Sequence, residues 1–162
     1  MRVDRPAAAS DKRGRCSLRS LAEGGFVVGV EVLEGIELIL VDDEPGILRA
    51  LSLLLGSLKC KVSAHPSPME ALAYLATGAQ PDAILSDLRM PGMTGMAFLQ
   101  HLRAHGDTTP FVLMSGHANA EDIVQAKDAG IASFLGKPFP PQDLLKILVE
   151  LCPRVQQAAN GR

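Results

Sequence analysis

The stretch ILVDDEP, Ile39–Pro45, runs three apolar residues straight into two adjacent aspartates and then a proline. The apolar run extends back to Ile36, and near-continuous apolar character over so few residues is the signature of a strand buried on both faces, as in a parallel sheet. Pro45 suits the first turn of a helix, because its missing N–H would be unpaired there anyway. Behind it Ile47, Leu48, Leu51, Leu54 and Leu55 recur at helical spacing through about Ser57. Strand, acidic turn and helix therefore follow one another within 22 residues, 36–57.

The same unit repeats along the chain. Strands are expected over Cys60–Ala64, Ala83–Ser86, Phe111–Met114 and Ala132–Leu135, and helices over Pro68–Ala76, Thr94–His105, Asn119–Ala129 and Pro141–Leu151. Ser67 precedes Glu70 by three residues, a capping-box spacing, and Gly130 suits the residue just after a helix. Met96, Phe98, Leu99 and Leu102 form the inward stripe of the third helix. Five β–α units of this length predict an α/β fold, a parallel sheet with helices on both faces, since right-handed crossovers place a helix between successive parallel strands. Such sheets bind ligands at the carboxyl ends of their strands.

Composition is that of an ordinary globular chain, with 162 residues, 47% hydrophobic and 21% charged. Three dispersed cysteines, Cys16, Cys60 and Cys152, form neither a disulfide framework nor a zinc pattern and suit a reducing cytoplasm. No apolar run approaches the roughly 20 residues of a membrane span. Residues 1–35 lack periodicity and are expected to form a mobile arm. Over residues 1–22 Arg2, Arg5, Lys12, Arg13, Arg15 and Arg19 face only Asp4 and Asp11, in a chain whose net charge is −2. A plain tail, a start codon set too far upstream and a nucleic-acid- or partner-binding arm all fit that segment. Residues 36–152 form the expected domain and 153–162 a flexible tail.

The polar residues at the strand ends are Asp42 and Asp43, then Asp87, then Ser115, and finally Lys137 in Gly136-Lys137-Pro138-Phe139. Singly, each can be a helix cap, a turn closer or a counter-ion. Together they suit one chemistry. Clustered carboxylates repel unless a cation neutralises them, and hard oxygen ligands with open positions suit Mg²⁺ shared with a phosphoryl group. An aspartate beside that metal can attack phosphorus, with a lysine and a hydroxyl holding phosphoryl oxygens.

The four motifs, LVDDEP, SDLRMPGMTG, LMSGHA and FLGKPF, stand in that order with separations of 44, 28 and 22 positions from Asp43 to Asp87, Ser115 and Lys137 in turn. From Ile36 to Leu151 the chain resembles a response-regulator receiver domain, of the stand-alone chemotaxis type. The resemblance implies a flavodoxin-like, doubly wound (βα)5 three-layer sandwich with strand order 2-1-3-4-5. It implies that Asp87 takes a phosphoryl group from a sensor histidine kinase or phosphotransfer protein. Mg²⁺ would be held by Asp43 and Asp87, by Asp42 through water, and by the backbone carbonyl of Arg89. Ser115 and Lys137 would hold phosphoryl oxygens, the Lys137–Pro138 bond would be cis, and Ser115 with Phe134 would form the switch that alters a protein-binding surface over residues 119–151.

Thr94 departs from the family's usual Asp but can cap the next helix. Arg89 and His117 fall where the resemblance places the route of attacking water. The remaining histidines, His65, His101 and His105, read as surface or packing residues. The implied role is signalling rather than enzymatic, in the cytoplasm, with an unidentified downstream protein and no direct nucleic-acid or membrane contact; a homodimer through the last helix–strand–helix face stays open. Two other readings are a phosphorylation-independent binding module and a Mg²⁺-dependent phosphohydrolase with an aspartyl nucleophile. The second normally carries a DxD pair on its first strand, unlike the adjacent pair here.

Overall fold

Side chains alternate between the two faces of a strand, and β1 (Glu37–Val41) uses both faces for core. Leu38 and Leu40 enter one apolar cluster, Ile39 and Val41 another, and all four are almost fully buried. The structure, a computed structural model, describes residues 33–152. The expectations for residues 1–32 and for the tail at 153–162 lie outside it.

After β1 the chain alternates through α1 (Pro45–Ser57), β2 (Lys61–His65), α2 (Pro68–Leu75), β3 (Ala83–Asp87), α3 (Gly95–Ala104), β4 (Phe111–Ser115), α4 (Ala120–Asp128), β5 (Ser133–Gly136) and α5 (Pro141–Leu151). All strand pairs are parallel, in the order β2-β1-β3-β4-β5. The expected three-layer sandwich is therefore present. On one face α1 and α5 contribute Leu51, Leu55, Leu144 and Leu148; on the other α2, α3 and α4 contribute Ala71, Phe98, Leu99, Leu102 and Ala126. Full burial of each large aliphatic or aromatic side chain is worth about 1.5–3 kcal/mol, so the two clusters dominate folding.

The helices are anchored unequally. Five of the ten residues of α3 are buried, Gly95, Met96, Phe98, Leu99 and Leu102, whereas α4 buries Ala126 alone and leaves Val124 57% exposed.

Most boundaries shift by a residue from the sequence reading, and three of the differences have a visible physical cause. Leu33, assigned there to the arm, is 1% exposed and belongs to the α1–α5 cluster, where the Cys60 thiol donates to its carbonyl at 3.6 Å. Cys60 itself closes the end of α1, its N–H bonding Leu55 O at 3.1 Å, so β2 starts one residue later. Lys59, at φ 61°, makes the left-handed turn between them. Ala132 bonds Phe111 O at 2.8 Å and leads into β5, which starts at Ser133.

Strand order reverses between β1 and β3: from β1 the chain builds toward one edge through β2, and from β3 toward the other through β4 and β5. Loops leaving adjacent strands in opposite directions open a crevice at the carboxyl edge. Asp42 follows β1 at that edge and Asp87 ends β3.

Candidate functional site

Asp42 is completely buried, and each carboxylate oxygen has a partner. Oδ1 accepts the Glu44 N–H at 2.9 Å, turning the chain into α1, and Oδ2 lies 2.7 Å from Lys137 Nζ. Nothing else would hold a carboxylate at zero exposure, since an uncompensated buried charge costs several kcal/mol. The same ammonium lies 3.1 Å from Asp87 Oδ1 and is itself only 17% exposed. Asp43 stands at the solvent side of the group, and one oxygen each from Asp42, Asp43 and Asp87 lie within 4.8 Å of one another. Among the described residues this is the one cluster of three or more acidic, histidine or cysteine side chains with metal-ligating geometry.

Burial raises the Asp87 carboxyl above its ordinary pKa; Lys137 opposes the rise through its hydrogen bond and charge, and the Asp42 and Asp43 charges reinforce it. Burial acts to lower the Lys137 ammonium, but the hydrogen bonds it donates to Asp42 and Asp87 and their charges outweigh it, so its pKa too is raised. Three clustered carboxylates thus have one ammonium among them, paired with Asp42 and Asp87, an arrangement that favours a further cation.

The second wall comes from β4 and β5. Ser115 ends β4 almost fully buried, and its Oγ accepts the His117 N–H at 3.1 Å. The Lys137 N–H bonds Ser115 O at 2.9 Å, tying the two strand ends together, and the Lys137–Pro138 peptide is cis. A cavity of about 720 Å³ opens between the walls, with Asp87, Arg89, Ser115, His117 and Lys137 in its lining. Phe134 lies on β5 beside Leu113 and packs, half-buried, in the α2–α4 cluster.

The loop after Asp87 is set by its turn residues. Gly92 takes φ 80°, and Thr94 caps α3 through Oγ1, which accepts the Ala97 N–H at 3.1 Å. Gly95 sits so close to β3 that a Cβ built there would meet the Asp87 carbonyl oxygen. The sequence reading assigned Gly95 no role, although a glycine opening a helix just after a strand-end aspartate was visible in SDLRMPGMTG. It also passed over the capping box at α4, where the Asn119 side chain accepts the Asp122 N–H at 2.8 Å and Asp122 Oδ2 accepts the Asn119 N–H at 3.0 Å. At α2 Ser67 accepts the Glu70 N–H at 3.3 Å, one half of the expected box.

His65 ends β2, with its ring against Tyr74 at 5.2 Å and its pKa lowered, burial outweighing the nearby Glu70 charge. His101 and His105 lie exposed on the outer side of α3.

Residues 38–149 match the family model described as response regulator receiver domain. The chain is 35% identical over 133 residues to the response regulator Rre1 of Synechocystis sp., covering 79% of this chain and 56% of that protein. The chain spans about half the length of the curated relatives it matches. Among solved structures, the chemotaxis protein CheY4 of Vibrio cholerae superposes with a TM-score of 0.67 at 32% identity, covering 72% of this chain and 98% of that one. The receiver domain of the sensor histidine kinase PA1611 of Pseudomonas aeruginosa superposes with a TM-score of 0.65 at 29% identity, covering 72% of this chain and 97% of that one; it holds a magnesium ion coordinated in its active-site cleft.

Proposed function

The chain belongs to the response regulator receiver domain family, and from that premise we propose that Asp87 is its phosphoryl acceptor, loaded by a sensor histidine kinase or phosphotransfer protein. The observation that carries this reading is the meeting of Asp42, Asp43, Asp87 and Lys137 at the carboxyl edge of the sheet, beside a cavity open to a donor. An Asp87 carboxylate oxygen forms the new P–O bond as the P–N bond to the donor imidazole breaks, and the imidazole leaves with the electron pair and takes up a proton. Lys137 Nζ and the Ser115 hydroxyl would hold phosphoryl oxygens as negative charge spreads over them.

The acidic cluster also suits Mg²⁺, the ion coordinated in the PA1611 receiver domain. Oxygens from three carboxylates lie within 4.8 Å of one another, one of these side chains is open to solvent, and the single ammonium at the site pairs with only two of them, Asp42 and Asp87. Asp43 and Asp87 would be direct ligands, Asp42 would act largely through water, and the Arg89 carbonyl would complete the protein set. A bound divalent cation would offset the carboxylate charge and take a phosphoryl oxygen.

Ser115 and Phe134 form the proposed switch, which changes a protein-binding surface over residues 119–151. That surface carries exposed Val124 on the weakly anchored α4. No helix among the described residues is long and apolar enough to cross a membrane. A cytoplasmic setting belongs to the same reading, in keeping with the reduced thiol of buried Cys60.

Acetyl phosphate with Mg²⁺ is expected to label the wild type once and Asp87→Asn not at all, read by intact mass; equal labelling of both would place the acceptor elsewhere. The metal-free Asp87→Asn protein is also expected to melt higher at neutral pH. A carboxyl whose folded pKa lies above its unfolded value contributes stability that is full below the unfolded value and lost as pH rises through the folded one. At neutral pH its charge is therefore a cost that asparagine removes. Asp43→Ala is expected to abolish both Mg²⁺ binding, read by isothermal titration, and labelling of Asp87, with an unchanged circular-dichroism spectrum; retained Mg²⁺ affinity would remove Asp43 from the ligand set.

A further inference from the structure

Arg89 spans two loops. Its Nη2 donates to Asp122 Oδ2 at 3.2 Å and to His117 O at 3.4 Å, so the loop after β3 is fastened to the loop before α4 and to that helix's first turn. Both contacts are long for charge-assisted hydrogen bonds and run through one nitrogen of a guanidinium whose side chain is 61% exposed. Asp122 meanwhile serves two partners with one oxygen, since Oδ2 also accepts the Asn119 N–H of the α4 capping box. Arg89 lines the same cavity as Asp87, Ser115 and Lys137.

Resting on the acceptor assignment above, we propose that Arg89 is a further phosphoryl-binding residue held in reserve, and that Asp122 is the positioning residue that holds it. A phosphoryl group on Asp87 places anionic oxygens in the cavity, two residues along the chain from Arg89. Planar guanidinium donors match phosphate oxygens in a fork that a single contact to a carboxylate does not use. Arg89 then leaves Asp122 and the His117 carbonyl for the phosphoryl oxygens, and Asp122 keeps only its capping partner. Phosphorylation at β3 is thereby read at the N-terminus of α4 by exchange of one ion pair.

The exchange has a thermodynamic signature that a purely structural Asp122 lacks. Beryllofluoride with Mg²⁺, a stable tetrahedral mimic of the phosphoryl group on a carboxylate, is titrated into four full-length proteins: wild type, Asp122→Asn, Arg89→Gln and the double variant. Backbone amide NMR reads the affinity. Asparagine at 122 can still accept the Asn119 N–H but no longer competes as an anion for Arg89. Asp122→Asn is expected to bind the mimic about three- to fivefold more tightly than wild type, the scale of an exposed ion pair. In the Arg89→Gln background the same substitution is expected to change nothing, and Arg89→Gln alone to weaken binding. An equal effect of Asp122→Asn in both backgrounds, or no gain in the wild-type background, would overturn the exchange while leaving Asp87 as acceptor. Failure of the wild type to take up the mimic at all would overturn both.

Discussion

Gly95→Ala is expected to lower the stability of the domain by about 3 kcal/mol, the upper end of what overpacking a filled core costs, or roughly 10 °C in melting temperature. A Cβ at this position meets the carbonyl oxygen of Asp87 and comes within 2.9 Å of Leu113 Cδ2 and 3.0 Å of the Asp87 carbonyl carbon. Two of those three atoms are backbone and cannot rotate aside. Gly95 also donates its N–H to Leu88 O at 2.9 Å, so either α3 lifts away from the sheet or the end of β3 moves with it. Both responses displace Asp87 relative to Lys137, and labelling by acetyl phosphate should fall at least tenfold, about 1.4 kcal/mol of transition-state stabilisation. Gly116→Ala is the control, because its Cβ meets Lys137 at 3.5 Å, an ordinary contact. A Gly95→Ala protein that melts and labels like the control would show that the approach of α3 to β3 is not what positions the acceptor.

Replacing Lys137 by methionine keeps much of the side-chain volume and removes the charge that Asp42 and Asp87 share. Breaking a buried ion pair from one side costs about 3–5 kcal/mol when the remaining charge has no other partner. Here Asp42 keeps its Glu44 N–H and Asp87 can take up a proton, so about 2–3 kcal/mol is the expected loss at neutral pH without a divalent cation. The Asp87 pKa, already raised, should rise further. Stability then recovers as pH falls through that raised value, the direction set for a carboxyl that binds its proton more tightly when folded. Added Mg²⁺ should restore melting temperature more in Lys137→Met than in wild type, because it replaces the missing positive charge. Labelling of Asp87 should be lost even with the fold restored. A variant that melts like wild type at neutral pH, with no larger gain from Mg²⁺, would mean that the ammonium does not carry the electrostatic balance of the site.

The layers of this fold were legible because local pattern and burial agree. Leu38 to Val41, Ala83 to Leu85 and Phe111 to Met114 are apolar on consecutive residues and buried on both faces. Pro45 and Pro141 mark helix starts at the residues observed, and Thr94 and Asn119 cap the helices they were expected to open. Cys60 and Ala132 were assigned to strands because they are apolar, yet their N–H groups are spent on turn and cross-strand bonds just before the ladders begin. Leu33 sits in a segment of mixed composition, and only the packing of Leu55 and Cys60 beside it makes it core. At the site, the motif order located Asp42, Asp43, Asp87, Ser115 and Lys137. The pairing of Lys137 with a residue 95 positions earlier follows from strand order rather than from either residue's neighbours. The pairing of Arg89 with Asp122 was beyond reach for a related reason. The two residues are 33 positions apart in two different loops, and neither loop carries a pattern that reports the other.

The slight burial of α4 has an energetic corollary. Local opening of a segment costs roughly the apolar contact it gives up, and a helix resting on the methyl group of Ala126 surrenders far less than α3, which would expose Met96, Phe98, Leu99 and Leu102 together. A perturbation worth one ion pair would leave α3 where it is and still be comparable to what holds the first turn of α4. The division of labour is therefore written into the side-chain volumes. One helix beside the acceptor is ballast, and its neighbour is light enough for a single charge to tip.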